Sequence, residues 1–199
     1  YAYPIDNRTL IKALAHDPYQ MQRVNREHVF YQGTESAQAL MVSPLVSDRD
    51  FEITCSFHYK TGQEGVLYAM GDVMRGFCAF IKANELVVHY NVGFVIKRDL
   101  RLSLTGASGP LMLKMNHQAK GKLQGHAEIS VIQGGQEYAQ GQLNMSPTLL
   151  KLNGEGFDIG LDRRTKVSAE CDGQGTFKYP GVIDWVKIVP GQQAPGSFV

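Results

Sequence analysis

The stretch richest in possible chemistry is "GEGFDIGLDRR", Gly154 to Arg164, which sets Glu155, Asp158 and Asp162 close together ahead of Arg163 and Arg164. A β-sandwich glycosidase needs two carboxylates on one strand face, roughly 5–5.5 Å apart for a retaining reaction. Glu155 and Asp158 are three apart and fall on opposite faces of a regular strand. Asp158 and Asp162 share a face, but Gly160 stands between them where an intervening acid is needed. The Glu-x-Asp-x-x-Glu pattern of laminarinase-type glucanases is not met. The spacing therefore predicts a strand that buries Phe157 and Ile159, with Asp158 pointing out or capping a turn. The Asp162-Arg163-Arg164 cluster that follows reads as a solvated loop, with an anion, glycan or partner contact as the functional reading.

Other chemistry-bearing residues are dispersed. The six histidines, at 16, 28, 58, 89, 117 and 126, form no HxH or HxxxH pair, and His58 and His89 read as outer-face sheet residues. Cys55, Cys78 and Cys171 are odd in number and lack zinc-type spacing, so they read as small buried hydrophobes and no metal or disulfide framework is expected. No G-x-S-x-G elbow or P-loop is present. In "VIDWVKIV", apolar residues fall on both parities, which predicts a strand covered on both sides with Trp185 packed, a sugar platform being the other reading.

These residues need a scaffold, and the composition supplies one. Of 199 residues, 43% are hydrophobic, enough for a packed core and against disorder. Twenty basic and nineteen acidic residues leave a net charge of +1, so nucleic-acid binding is not expected. No apolar run approaches the roughly 20 residues of a membrane span. Residues 1–28 place Leu10, Ile11 and Leu14 at helical spacing before Pro18, predicting a short helix and then a linker. From His28 the period becomes 2, as in "FEITCSFHYK". About eleven short strands follow, with turns at Ala83-Asn84 and Gly134-Gly135 and helix confined to the start. The fold class is all-β: a two-sheet antiparallel sandwich or jelly roll over residues 29–190, with a Pro/Gly-rich tail at 191–199.

The order of these segments resembles the C-terminal domain of large bacterial arylsulfatases. "YPIDNR" is similar to a "PLDDR" segment after the sulfatase catalytic domain, and "VFYQGTES" to "LYPGMTR". "SDRDFEITCSF", "GQEGVLYAMGDVMRGFCAFIKANELVVHYN", "GEGFDIGLDRRTKVS" and "YPGVIDWVKIV" follow collinearly with their counterparts. The sequence departs where the family's Gly-Gly becomes Met74-Arg75-Gly76 with Phe77 and then Cys78 at its aromatic position, and where its "DTGTPVS" becomes Asp162-Arg163-Arg164-Thr165-Lys166-Val167-Ser168. The resemblance implies a concanavalin A-like jelly roll without catalytic residues. No cysteine opens the C/S-x-P-x-R motif of formylglycine sulfatases, so formylglycine and calcium are expected only in an upstream domain. The implied role is a non-catalytic accessory domain packing in cis on a sulfuric ester hydrolase, exposing an apolar patch where the partner sits. A start at Tyr1 suggests a fragment or processed chain.

The reading from a different class is a carbohydrate-binding, lectin-like module. It would display exposed aromatics such as Tyr68, Tyr90 or Trp185 on a concave sheet face. The sequence leaves open homo-oligomerisation, and whether the compartment is bacterial cytoplasm, periplasm or exterior.

Overall fold

A computed structural model describes residues 24–34, 37, 39–121, 124–147, 155–171 and 176–195. The expected helix at Leu10–Leu14 lies outside the described residues. Among the described residues eleven strands form the fold: β1 (His28–Phe30), β2 (Arg49–Tyr59), β3 (Gly65–Gly71), β4 (Arg75–Lys82), β5 (Glu85–Val92), β6 (Ile96–Ser103), β7 (Gly109–Gly121), β8 (Gln124–Gln133), β9 (Gln136–Asn144), β10 (Phe157–Ile159) and β11 (Ile183–Gln193). They make two antiparallel sheets packed as a jelly-roll sandwich: six strands ordered β1-β11-β2-β7-β8-β9 and five ordered β10-β3-β4-β5-β6. β11 continues through Gln193, and Ala194 N–H donates to Asp48 O at 2.9 Å. The sandwich thus runs past residue 190, the boundary read from composition.

The alternation in β2 works as its sequence dictates. Phe51, Ile53, Cys55 and Phe57 are buried between the sheets, while Glu52, Thr54, Ser56 and His58 line the outer face beside the β7 residues Asn116, Lys114 and Met112. Across the gap, Phe77, Ala79, Ile81, Leu86 and Val88 close the core. Each such large side chain contributes roughly 1.5–3 kcal/mol by leaving water.

The five-stranded sheet differs, because β3 is buried at every position and β4 and β5 nearly so. A second, smaller core explains this. Val66, Ala69, Cys78, Phe80 and Val87 point away from the sandwich interior and are roofed by Val167, Cys171 and Phe177 of the segment after β10. All three cysteines are buried and free, with burial pushing the Cys55 and Cys78 thiols well up.

Turns follow local chemistry. Ala83 and Asn84 both take positive φ (51° and 59°), the geometry of a two-residue hairpin. Asn84 Oδ1 is then free to accept from Tyr59 Oη (2.9 Å) and Gly62 N (2.8 Å).

One element corrects the expectation that helix is confined to the start. Helix α1, Ala39–Val46, has Pro44 inside it, which the local sequence alone marks as a breaker. It forms because Val42, Leu45 and Val46 join the main core, and the Ser43 and Ser47 hydroxyls bond each other at 2.9 Å. Packing outweighs the missing hydrogen bond.

Candidate functional site

The acid and arginine cluster is brought together, but inward. Phe157 and Ile159 enter the main core as expected. Asp158 and Asp162 are buried rather than solvated, 6% and 2% exposed, because residues 162–167 fold back over the sheet. Asp158 Oδ2 accepts from Arg163 N (3.1 Å), and its Oδ1 faces Arg163 Nε at 3.7 Å. Asp162 Oδ2 accepts from Val167 N at 2.8 Å, and Glu155 accepts from Thr165 N. Burial raises the Asp162 carboxyl to about 7, against the opposing Val167 bond and Lys166 charge and helped by Asp158 and Glu155. The acids are thus fasteners for the roof of the second core. Within the cluster, Arg164 is the arginine that faces solvent, at positive φ (51°).

The aromatic readings also change. Tyr68 is fully buried between the sheets, and Tyr90 is 4% exposed, so neither is a surface platform. Trp185 is half-buried on the outer face of the six-stranded sheet, opposite Ser56, with Lys187 Nζ 5.9 Å from its ring centre. Parity failed there because a bulge between Ile183 and Trp185 resets the register. Ile183, Val186 and Ile188 all face the core, and Asp184 swings out to accept from Ser56 Oγ at 2.8 Å. The strand is therefore open on one side. His58 lies on this open face, 3.6 Å from Asp184. His89 is on an outer face too, but buried under the roof and 2.5 Å from Asp99.

Of the arrangement best suited to a ligand, Tyr90 alone is among the residues singled out from the sequence. On β6 the inward register positions are Ile96, Arg98, Leu100 and Leu102, opposite Val92, Tyr90, Val88 and Leu86 of β5. Leu100 and Leu102 pack into the core, so Arg98 points the same way where the two sheets part. A pocket of about 310 Å³ opens there, lined by Arg98, Lys120, Gln124 and Asn144 over Tyr90 and Ile96. The signal that could have found it is a cation on an apolar parity in "VIKRDLRLSL".

The wall of this mouth is unusually well held. Three successive carbonyls, of Asn144, Met145 and Ser146, are each met by a side chain from a different strand. Arg98 Nη1 donates to Asn144 O (2.8 Å), His117 Nε2 stands 3.1 Å from Met145 O, and Tyr90 Oη donates to Ser146 O (2.7 Å). Burial raises the Tyr90 phenol, which keeps the donating proton in place. His117 is buried and stacked on Phe51 at 4.6 Å, and burial lowers its basicity against the pull of the Met145 and Arg49 carbonyls. Met145 N in turn donates to Gly125 O. A Cβ on Gly125 would lie 2.8 Å from both His117 Nε2 and Met145 O, so only glycine lets the strands close here.

Chemically the mouth offers two cations that make no ion pair among the described residues, two side-chain amides and an apolar wall. Arg98 uses one guanidinium nitrogen on Asn144 and keeps further N–H groups for a planar anion. Two larger hollows are chemically poorer. One of about 480 Å³ on the outer face carries Glu128 and Glu137 without a cation. Another of about 550 Å³, beside Pro180 and Val182, is mostly apolar. Among the described residues no group of three or more His, Cys, Asp or Glu is placed to hold a metal ion, and no helix is long and apolar enough to cross a membrane.

No family model matches the chain, and no curated protein does. Solved structures match it in shape. The Ruminococcus gnavus IT-sialidase CBM40 bound to α2,3-sialyllactose aligns with TM-score 0.50 and 12% identity, over 79% of this chain and 83% of that one. The same module bound to α2,6-sialyllactose gives TM-score 0.50 and 10% identity over 81% and 88%. A leech intramolecular trans-sialidase complexed with 2,7-anhydro-Neu5Ac gives TM-score 0.50 and 11% identity, over 85% of this chain but 26% of that one. At these identities the likeness is one of fold: a two-sheet antiparallel jelly roll.

Proposed function

We propose that this chain is a carbohydrate-binding module and that the inter-sheet mouth takes an anionic sugar. The observation that carries the reading is the convergence of Arg98 and Lys120 in a pocket of about 310 Å³ whose wall is already fixed by three side-chain bonds. The volume lies at the small end of ligand pockets, suited to a single ring with its substituents. A carboxylate or sulfate would meet the guanidinium and ammonium, hydroxyls would meet Gln124 and Asn144, and C–H faces would lie on Ile96 and the Tyr90 edge. The sialyl ligands in the structures of similar fold support an acidic sugar as the first probe.

The test is calorimetric titration with sialyllactose, a sulfated disaccharide and neutral lactose. One or both anionic sugars bind, lactose does not, and Lys120→Ala weakens binding by about tenfold, in line with one charge-assisted contact. Lys120 is exposed and its side chain makes no hydrogen bond or ion pair among the described residues, so its loss is expected to leave the fold intact. Absence of heat from both anionic sugars at millimolar concentration, or unchanged affinity in Lys120→Ala, refutes the reading.

The accessory role beside a sulfatase domain is a second proposal, resting on the six collinear segments. It is compatible with sugar binding, since a module that holds a sulfated polysaccharide would serve a sulfuric ester hydrolase. A C/S-x-P-x-R motif encoded upstream of Tyr1 would support it.

A further inference from the structure

We propose that the end of the sandwich carrying the turn between β5 and β6 is a tip that seats on an anionic lipid surface. Three consecutive large apolar residues crown this turn: Phe94, Val95 and Ile96, exposed by 69%, 92% and 38%. Met74, in the turn between β3 and β4, is 48% exposed, and the two turns are tied by a bond from Gly93 N to Met74 O. Scattered exposed apolar side chains are ordinary on a soluble surface, but a contiguous cluster marks a contact site.

The chemistry around the cluster selects the partner. Lys97 and Lys166 line a hollow on the outer flank, together with Val73. Arg98 and Lys120 stand in the mouth beside Ile96. The acids beside it are paired: Asp72 accepts from Met74 N and Arg75 N, Asp99 faces His89, and Glu170, which lines the same hollow as Lys97 and Lys166, faces Lys82 and Arg101. A protruding apolar crown inside a ring of cations fits the boundary between acyl chains and anionic headgroups. A protein partner fits less well, because a projecting turn offers little area for burial. A sugar platform would use the Phe94 ring but gives no role to Val95 or Met74. Phe94, Val95, Met74 and Lys97 lie outside the sugar pocket, whereas Ile96, Arg98 and Lys120 are shared with it.

The experiment is co-sedimentation of the chain with phosphatidylcholine vesicles, with and without phosphatidylserine and free of any glycan. Binding to the phosphatidylserine vesicles is expected, weakened by added salt. The double variant Phe94→Ser, Val95→Ser reduces it at least about tenfold, and Lys97→Gln about fivefold, with unchanged urea midpoints. Failure to sediment with either vesicle, or sedimentation of the double variant equal to that of the parent, overturns the proposal. So does a solution dimer that the double variant abolishes in the absence of vesicle binding, which would make the tip a self-association surface. An equal loss of soluble-sugar affinity in the double variant also overturns it, by assigning the tip to the sugar site.

Discussion

The outer faces of the two sheets are treated in opposite ways. On the six-stranded sheet, Glu52, Asn116 and Glu128 run side by side across three strands and meet water. On the five-stranded sheet, Phe80, Val87 and Cys78 occupy the equivalent outward positions and lie under Val167, Cys171 and Phe177. One face is a surface and the other is a second interior. The difference shows that period-2 alternation reports water on one side only; where it fails, as in "GVLYAMG" and "GFCAFI", a cover must be supplied from elsewhere in the chain.

The contrast is broken most forcefully at Phe80. Phe80→Ala empties the second core and is expected to cost about 3–5 kcal/mol in urea unfolding, as for a main-core residue. Lys114→Ala on the opposite sheet should stay within about 0.5 kcal/mol. Similar values for the two would mean that the roof is not part of the folded unit.

The roof's fastener gives the next effect. The folded Asp162 carboxyl, at about 7, holds its proton more tightly than in the unfolded chain, where the ordinary value is 3.8. Stability therefore falls as pH rises from about 4 to about 7, by at most about 4 kcal/mol. Asp162→Asn can still accept from Val167 N and should flatten this dependence, with its largest gain at pH 8. Thermal midpoints at pH 5 and pH 8 for both proteins check the sign. A variant that retains the full slope would clear Asp162 of the effect.

The smallest expected difference separates two hairpins. Asn84→Ala, on the covered sheet, strands the Tyr59 hydroxyl and the Gly62 amide at a positive-φ position and should cost about 1–2 kcal/mol. Gly134→Asn on the bare sheet meets no atom within 4 Å at φ +58°, a region asparagine tolerates, and should cost within about 0.5 kcal/mol. Denaturant midpoints distinguish the two.

Much of this scaffold was legible in the sequence, because strand alternation and two-residue turns are local effects. β2, the Ala83-Asn84 and Gly134-Gly135 turns, and the inward Phe157 and Ile159 all follow from spacing. What spacing missed depends on distant chain. Helix α1 owes its existence to a core that overrides Pro44. Trp185 faces outward because one bulge shifts the parity of β11. Asp162 is buried by a roof that no local pattern announces. The mouth joins Arg98 on β6 to Lys120 on β7 and Asn144 on β9, and only sheet packing places them together. Part of the cue was present, in the parity that Arg98 shares with Leu100 and Leu102, yet a lone cation on an apolar stripe gains meaning only once the sandwich is seen to part there.

The three clasped carbonyls of residues 144–146 bear on time as well as on shape. A chain segment leaving the end of a strand normally frays within nanoseconds to microseconds. Here the lip moves only if bonds to three separate strands let go together. A ligand would then encounter a rim in its final form. Its arrival rate should follow diffusion and charge, and differences among sugars should appear in how long each one stays. Hydrogen exchange at the Met145 amide, slow in the free chain, should change little when the mouth fills.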